Sequence, residues 1–220
     1  YLFQKSSFTV PSFLLPPVQH NKGNYIASLA NVCRWLGQIA ENLGVEIYPG
    51  FAASEVLYHE DGSIKGVATN DMGIDTNGAK KESFEPGIEL HAKVTVFSEG
   101  CRGHLGKQII SRFNLDENSD PQQYGIGLKE IWEVPEENHD EGLVFHTVGW
   151  PVDNQTYGGS FVYHAENRQI FIGYVLGLDY SNPYMSPFEE FQRFKTHPKI
   201  SEMLKGGKRI SYGARALIEG

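Results

Sequence analysis

The chain has 220 residues, 40% hydrophobic, 12% aromatic and 21% charged, and its 27 acidic against 19 basic residues leave a net charge of −8. This supports one large or two small globular domains and excludes a disordered tail, a fibrous repeat or a disulfide-stapled miniprotein. The acidic balance argues against a nucleic-acid partner, Cys33 and Cys101 are too few for a disulfide framework or a cysteine metal site, and no apolar run approaches the roughly 20 residues that cross a bilayer.

Residues 1–20 carry Phe3, Phe8, Val10, Phe13, Leu14, Leu15 and Val18, interrupted by Pro11, Pro16 and Pro17. The prolines forbid a long helix, so an extended or looped apolar segment is expected. From Asn24 onward, Tyr25, Ile26, Leu29, Val32, Leu36, Ile39, Ala40 and Leu43 fall close to helical spacing, which predicts an amphipathic helix over 25–43, capped by Asn24 and stopped by Gly44. Residues 45–49 read as a short buried strand. Residues 53–59 and 64–70 read as a hairpin joined by the acidic turn 60–63. The polar stretch 71–87 offers few anchors. A buried strand is then expected over 90–97, followed by a glycine corner at 98–103 and a helix to about Phe113.

The second half changes character. Residues 124–134, 143–149, 157–164 and 169–178 are aromatic and β-branched runs between turn residues, the pattern of an antiparallel sheet. Short helices are expected over 186–196 and 199–205. Early alternation of helix and strand followed by consecutive strands predicts an α/β (α+β) fold, with an α/β layer interleaved with an antiparallel sheet.

Two places could carry chemistry. In Ser98-Glu99-Gly100-Cys101-Arg102-Gly103, glycine at the end of a strand and before a helix lets main chain approach a phosphate, a sugar or an isoalloxazine edge, although a tight turn needs the same residue. In Tyr157-Gly158-Gly159-Ser160, adjacent glycines in a β-forming run mark either a bulge or a close approach by a ligand. The eight histidines show no metal-ligand spacing, so no metal is expected. Glu136-Glu137 and Glu189-Glu190 read as solvated charge. No serine has a G-x-S-x-G setting, and residues 205–209 read as a basic turn rather than a phosphate loop. No catalytic acid or base is identified.

The strings Gly23-Asn24-Tyr25-Ile26, Gly44-Val45-Glu46-Ile47-Tyr48-Pro49-Gly50, Ser98-Glu99-Gly100-Cys101-Arg102-Gly103-His104-Leu105, Tyr124-Gly125-Ile126-Gly127-Leu128-Lys129-Glu130, His146-Thr147-Val148-Gly149-Trp150-Pro151, Tyr157-Gly158-Gly159-Ser160-Phe161 and Tyr212-Gly213-Ala214-Arg215-Ala216-Leu217 resemble the electron transfer flavoprotein–ubiquinone oxidoreductase family over almost the whole chain. The resemblance implies a membrane-associated oxidoreductase that uses FAD and an iron–sulfur cluster to pass electrons from reduced electron transfer flavoprotein to ubiquinone. It implies localisation on the matrix side of the mitochondrial inner membrane, as a peripheral or monotopic protein, or on a bacterial cytoplasmic membrane. Tyr1 and Gly220 read as cuts through a longer polypeptide, since the family's FAD pyrophosphate loop and C-terminal cysteine cluster are absent. The expected segment is therefore part of a glutathione-reductase-like FAD domain interleaved with an antiparallel-sheet quinone-binding domain. Its expected divisions are an apolar segment at 1–20, FAD-domain residues at 21–115, the ubiquinone sheet at 116–210 and a return toward the FAD domain at 211–220.

By the same resemblance, quinone contact falls on Gly158 and Gly159 with Tyr157 beside them. Part of the FAD site falls on Val56, Glu99 and Gly100. Ubiquinone lives in the bilayer, so Phe13, Leu14 and Leu15 are expected to touch the membrane surface, with packing beneath the quinone sheet as the competing reading. The residues leave open the middle of a flavin monooxygenase or prenyl reductase, and a non-catalytic lipid- or protein-binding domain.

Overall fold

In the computed structural model, which describes residues 1–219, the apolar periodicity after Asn24 folds into helix α1 (Leu29–Asn42). The helix starts four residues later than its spacing predicts, because its first backbone bond runs from Val32 N–H to Ser28 O, while the Asn24 amide donates to Asn21 Oδ1 at 3.0 Å instead of capping. Gly44, at φ +86°, stops it.

The chain divides into two compact units. One comprises Gly37–Asp120, the other Tyr1–Leu36 with the stretch from Pro121 onward. In the first, β1 (Ala53–Tyr58) and β2 (Ile64–Thr69) form the expected antiparallel hairpin, and Asp61 Oδ1 accepts Ser63 N–H at 2.9 Å to shape its turn. A second hairpin, β3 (Met72–Ile74) with β4 (Lys80–Glu85), lies in the polar stretch where no element was expected. Its turn explains it: Asp75 Oδ1 accepts from Asn77 N and Ala79 N, each at 2.8 Å, and Gly78 takes φ +84°. Strand β5 (Glu89–His91) extends the first sheet in the order β1-β2-β5, and α2 (His104–Phe113) follows, ending where Asn114 turns left-handed. Val56, Leu105 and Ile109 form the buried core of this unit, ringed by Tyr58, Ile64, Val67 and Phe97.

Two expected strands are corrected. Residues 45–49 form no strand and leave Val45, Ile47 and Tyr48 exposed. The strand expected over 90–97 ends at His91, with Val94 and Val96 about four-fifths exposed. A β-branched run becomes a strand only where a neighbour accepts from its N–H groups and donates to its C=O groups, and among the described residues neither 45–49 nor 93–97 has a strand beside it.

In the other unit, the expected sheet forms from β6 (Gln123–Glu133), β7 (Val144–Thr147), β8 (Gly158–Ala165) and β9 (Gln169–Gly177). Helix α3 (Pro187–Lys195) starts with Ser186 accepting Glu189 N–H, and α4 (Pro198–Met203) follows. The fifth strand, β10 (Lys208–Glu219), includes part of the run read as a basic turn, so the turn is confined to Lys205-Gly206-Gly207. All pairings are antiparallel, in the order β10-β6-β9-β8-β7. Alternate residues of β6, β8 and β9 (Leu128, Val162, Ile170, Ile172, Tyr174, Leu176) build one core with Phe191, Phe194, Ile200 and Leu204 from the helices. Leu2 joins this core, bound to Val148 O and Trp150 N at 2.8 and 3.0 Å.

Candidate functional site on the outer face of the five-stranded sheet

Because side chains alternate along a strand, registers fix what the second face of the sheet presents. One cross-strand row runs Gly159, Val175, Gly127, Arg215; the next runs Phe161, Gly173, Lys129, Gly213; Gly177 pairs with Gly125 on the other side of the first row. The result is a face floored by glycine and bordered by aromatic and cationic side chains. Some of the glycines make room for neighbours. A Cβ on Gly173 would lie 2.2 Å from the Phe161 ring, and one on Gly127 3.1 Å from Leu217. Above Gly213 nothing lies within 4 Å. Over β6 and β10, an open groove of about 310 Å³ is lined by Gly127, Lys129, Ile131, Ser211, Gly213 and Arg215.

Gly158 and Gly159 open β8 where the β7 ladder has just ended, since its last pair is Thr147 with Ser160. The main chain of 157–159 on that side is thus free of the β7 ladder, while on the other it pairs with β9. Thr147 Oγ1 and Ser160 Oγ lie 2.6 Å apart on the core face and tie the two strands together at this end. The glycines also have a packing reason. A Cβ on Gly158 would lie 2.6 Å from Val175 O, and one on Gly159 2.5 Å from Thr147 O. Tyr157 is mostly exposed, and its carbonyl accepts Gly177 N–H at 3.0 Å.

On the core face beneath β6, Glu130 is 2% exposed and gathers charge. Its carboxylate accepts from Lys195 Nζ at 2.8 and 2.9 Å, from Trp132 Nε1 at 2.7 Å and from Arg209 Nη1 at 3.1 Å. Burial alone would raise the pKa of Glu130, but these donors outweigh it and hold the carboxyl below the usual range. The cluster ties α3 and β10 to β6.

The other sequence-derived residues lie apart from this face. In the Gly37–Asp120 unit, Val56 is 4% exposed on β1, an edge strand whose outer backbone groups meet no strand of the described residues. Glu99 folds back on the start of α2, its carboxylate accepting Leu105 N at 3.1 Å and Gly106 N at 2.6 Å. It fills the anion position at that helix end with the chain's own charge, and those amides lower its pKa against the rise that desolvation causes. Gly100 takes φ +84°, a conformation that a side chain would strain. Phe13 and Leu14 form a 3-10 turn and are 77% and 64% exposed; Leu15 is half-buried. No helix of the described residues is long and apolar enough to cross a membrane.

The glycine pair that opens β8 stands out in the sequence, whereas the face it shares with the glycines of β6, β9 and β10 does not. Gly125-x-Gly127-x-Lys129 and Gly213-x-Arg215 repeat with period two, the spacing that puts residues on one side of a strand. That signal was present, but joining the strings required the strand order.

A family model described as ETF-QO, ubiquinone-binding, matches residues 124–217, which span β6 to most of β10. The chain is 56% identical over 217 residues to an electron transfer flavoprotein-ubiquinone oxidoreductase of Pseudomonas aeruginosa, covering 98% of this chain and 39% of that protein. It is 58% identical over 216 residues to the mitochondrial protein of the same name from Bos taurus, covering 97% and 35%. It thus spans less than half the length of these curated relatives. Among solved structures, a flavin-dependent brominase aligns with TM-score 0.52 at 12% identity over 86% of this chain and 44% of its own. A halogenase in complex with FAD aligns with TM-score 0.51 at 13% identity over 84% and 36%. At such identities the likeness is one of fold.

Proposed function

The chain belongs to the electron transfer flavoprotein–ubiquinone oxidoreductase family, and from that premise we propose that it supplies the ubiquinone site and part of the FAD site of an enzyme passing electrons from reduced electron transfer flavoprotein to ubiquinone. The observation that carries the reading is the glycine-floored outer face, within the residues matched to the ubiquinone-binding family. A flat ring can lie on a sheet only where side chains are missing. At Gly158 and Gly159 main-chain groups beyond the end of the β7 ladder offer hydrogen bonds to a quinone oxygen, with Tyr157 at the rim.

FAD would supply the electrons, and two features of the chain fit it. The outer edge of β1 at Val56 offers main chain to an adenine ring, and Gly100 opens the corner before α2. Glu99 acts there by shaping the corner, since its carboxylate is engaged by the α2 amides. Two cysteines fall short of four thiolates, and among the described residues no group of three or more His, Cys, Asp or Glu side chains could hold a metal, so the ligands of an iron–sulfur cluster are assigned to the rest of the full-length protein. The exposed Phe13 and Leu14, with Leu15, are assigned to shallow contact with the membrane from which ubiquinone arrives, on the matrix side of the mitochondrial inner membrane or the bacterial equivalent.

A photoreactive ubiquinone analogue tests the site in the full-length protein. Labelling of the β8 and β9 peptides, competed away by ubiquinone, is expected; competed labelling confined to other peptides would overturn the reading. Serine at Phe13, Leu14 and Leu15 is expected to reduce liposome binding with the fold intact, and unchanged binding would place the membrane contact elsewhere.

A further inference from the structure

The outer face carries two cations that the fold leaves without an acidic partner. Four basic side chains of the same unit are held by acids, Lys195 and Arg209 by Glu130, Arg168 by Glu133 and Arg193 by Glu190. Among the described residues, no carboxylate forms a salt bridge with Lys129 or Arg215, although the chain has an excess of acids. The Lys129 ammonium instead lies 5.1 Å from the centroid of the Phe171 ring. Both residues line the groove over Gly127 and Gly213. A pair of cations beside a floor kept low by Gly127 and Gly213 is complementary to a flat anion.

Registers tie this groove to the glycines of β8. Arg215 stands in the same row as Gly159, three strands away, which at the spacing of neighbouring strands is ~14 Å between backbones. An extended arginine side chain covers part of that span; of the two residues between, Gly127 raises no side chain and Val175 raises a short one. A quinone ring carries its two oxygens on opposite edges. With one oxygen at the main chain of 158–159, the other faces the cations.

We propose that Lys129 and Arg215 form an anion subsite at the far end of the trough, which holds the negative charge of an ionised quinonoid ligand. The inference rests on the quinone reading of this face. It concerns binding alone, with no bond made or broken. A charge-assisted contact in such a groove favours the anion over its neutral analogue by about tenfold or more.

The probes are 2-hydroxy-1,4-naphthoquinone, ionised at neutral pH, and neutral 1,4-naphthoquinone, with affinities for the full-length protein measured by equilibrium dialysis. The expected result is tighter binding of the anion by about tenfold. In the double variant Lys129→Met/Arg215→Met that preference disappears while affinity for the neutral probe stays the same. Arg215→Lys alone retains most of it. Both side chains are exposed and break no ion pair when replaced, so melting temperatures are expected to match. Salt gives a readout on the unmutated protein, where the anion's advantage must shrink as ionic strength rises. Equal binding of the two probes, or a preference that survives the double variant, overturns the subsite. If ubiquinone displaces the neutral probe in that case, the trough itself still stands. If ubiquinone displaces neither probe, the quinone reading falls and the subsite with it.

Discussion

The two faces of the five-stranded sheet share one backbone and differ in almost everything else. Beneath it, Ile170, Ile172 and Leu176 are fully buried against Phe191, Phe194 and Ile200. Above it, at the same strands and one residue along, stand Gly173, Val175 and Gly177, with Gly125 and Gly127 on the neighbouring strand. The lower face is filled by bulk and the upper one kept low. A sheet that only needed to fold would gain by covering both faces, since each buried methylene stabilises by about 0.8 kcal/mol. Forgoing that gain on one side is what the proposed quinone face would require.

Volume removed from the lower face should have the largest effect. Ile172→Ala is expected to cost about 2–5 kcal/mol in urea unfolding, whereas Val175→Ala, next along the strand but on the upper face, should cost about 1 kcal/mol or less. Equal losses would mean that the two faces are packed alike.

Charge on the lower face comes next. Glu130→Gln leaves Lys195 and Arg209 without their shared carboxylate and is expected to destabilise by about 3 kcal/mol. The native pKa of Glu130 is depressed, so its contribution is complete above the unfolded value of about 4.3 and is lost as pH falls through the lower native value. Denaturation midpoints of wild type and variant should therefore converge in acid. A gap that persisted at the acid end would sink the ion-pair account.

The smallest effects separate crowding from ligand approach. Gly159→Ala pushes a methyl to 2.5 Å from Thr147 O and should cost about 1–3 kcal/mol whether or not a quinone binds. Gly213→Ala enters open space and should leave stability within about 0.5 kcal/mol, or raise it slightly. A stable Gly213→Ala protein with weakened quinonoid binding would sharpen the reading of the upper face, because only the floor of the groove has changed.

Much was legible in the chain before any coordinates. Aromatic and β-branched runs bounded by turn residues set out β6, β7, β8 and β9, helical spacing set out α1 and α3, and glycine with acidic turn residues placed the 53–69 hairpin, because these signals are local and act through neighbours in sequence. The paired glycines of β8 stood out for the same reason. Three things needed the tertiary structure. Residues 45–49 and 93–97 have strand composition but, among the described residues, no partner ladder, and pairing is not a property of one segment. The 72–85 hairpin rests on Asp75 accepting two turn amides, a geometry that its polar composition hides. The trough exists only because β10 pairs with β6 and β6 with β9, which carries Arg215 and Lys129 into rows with Gly159 and Phe161 from far along the chain. Each residue's face was written in its strand's alternation; which residues share that face was decided by strand order, a non-local outcome of packing a common core.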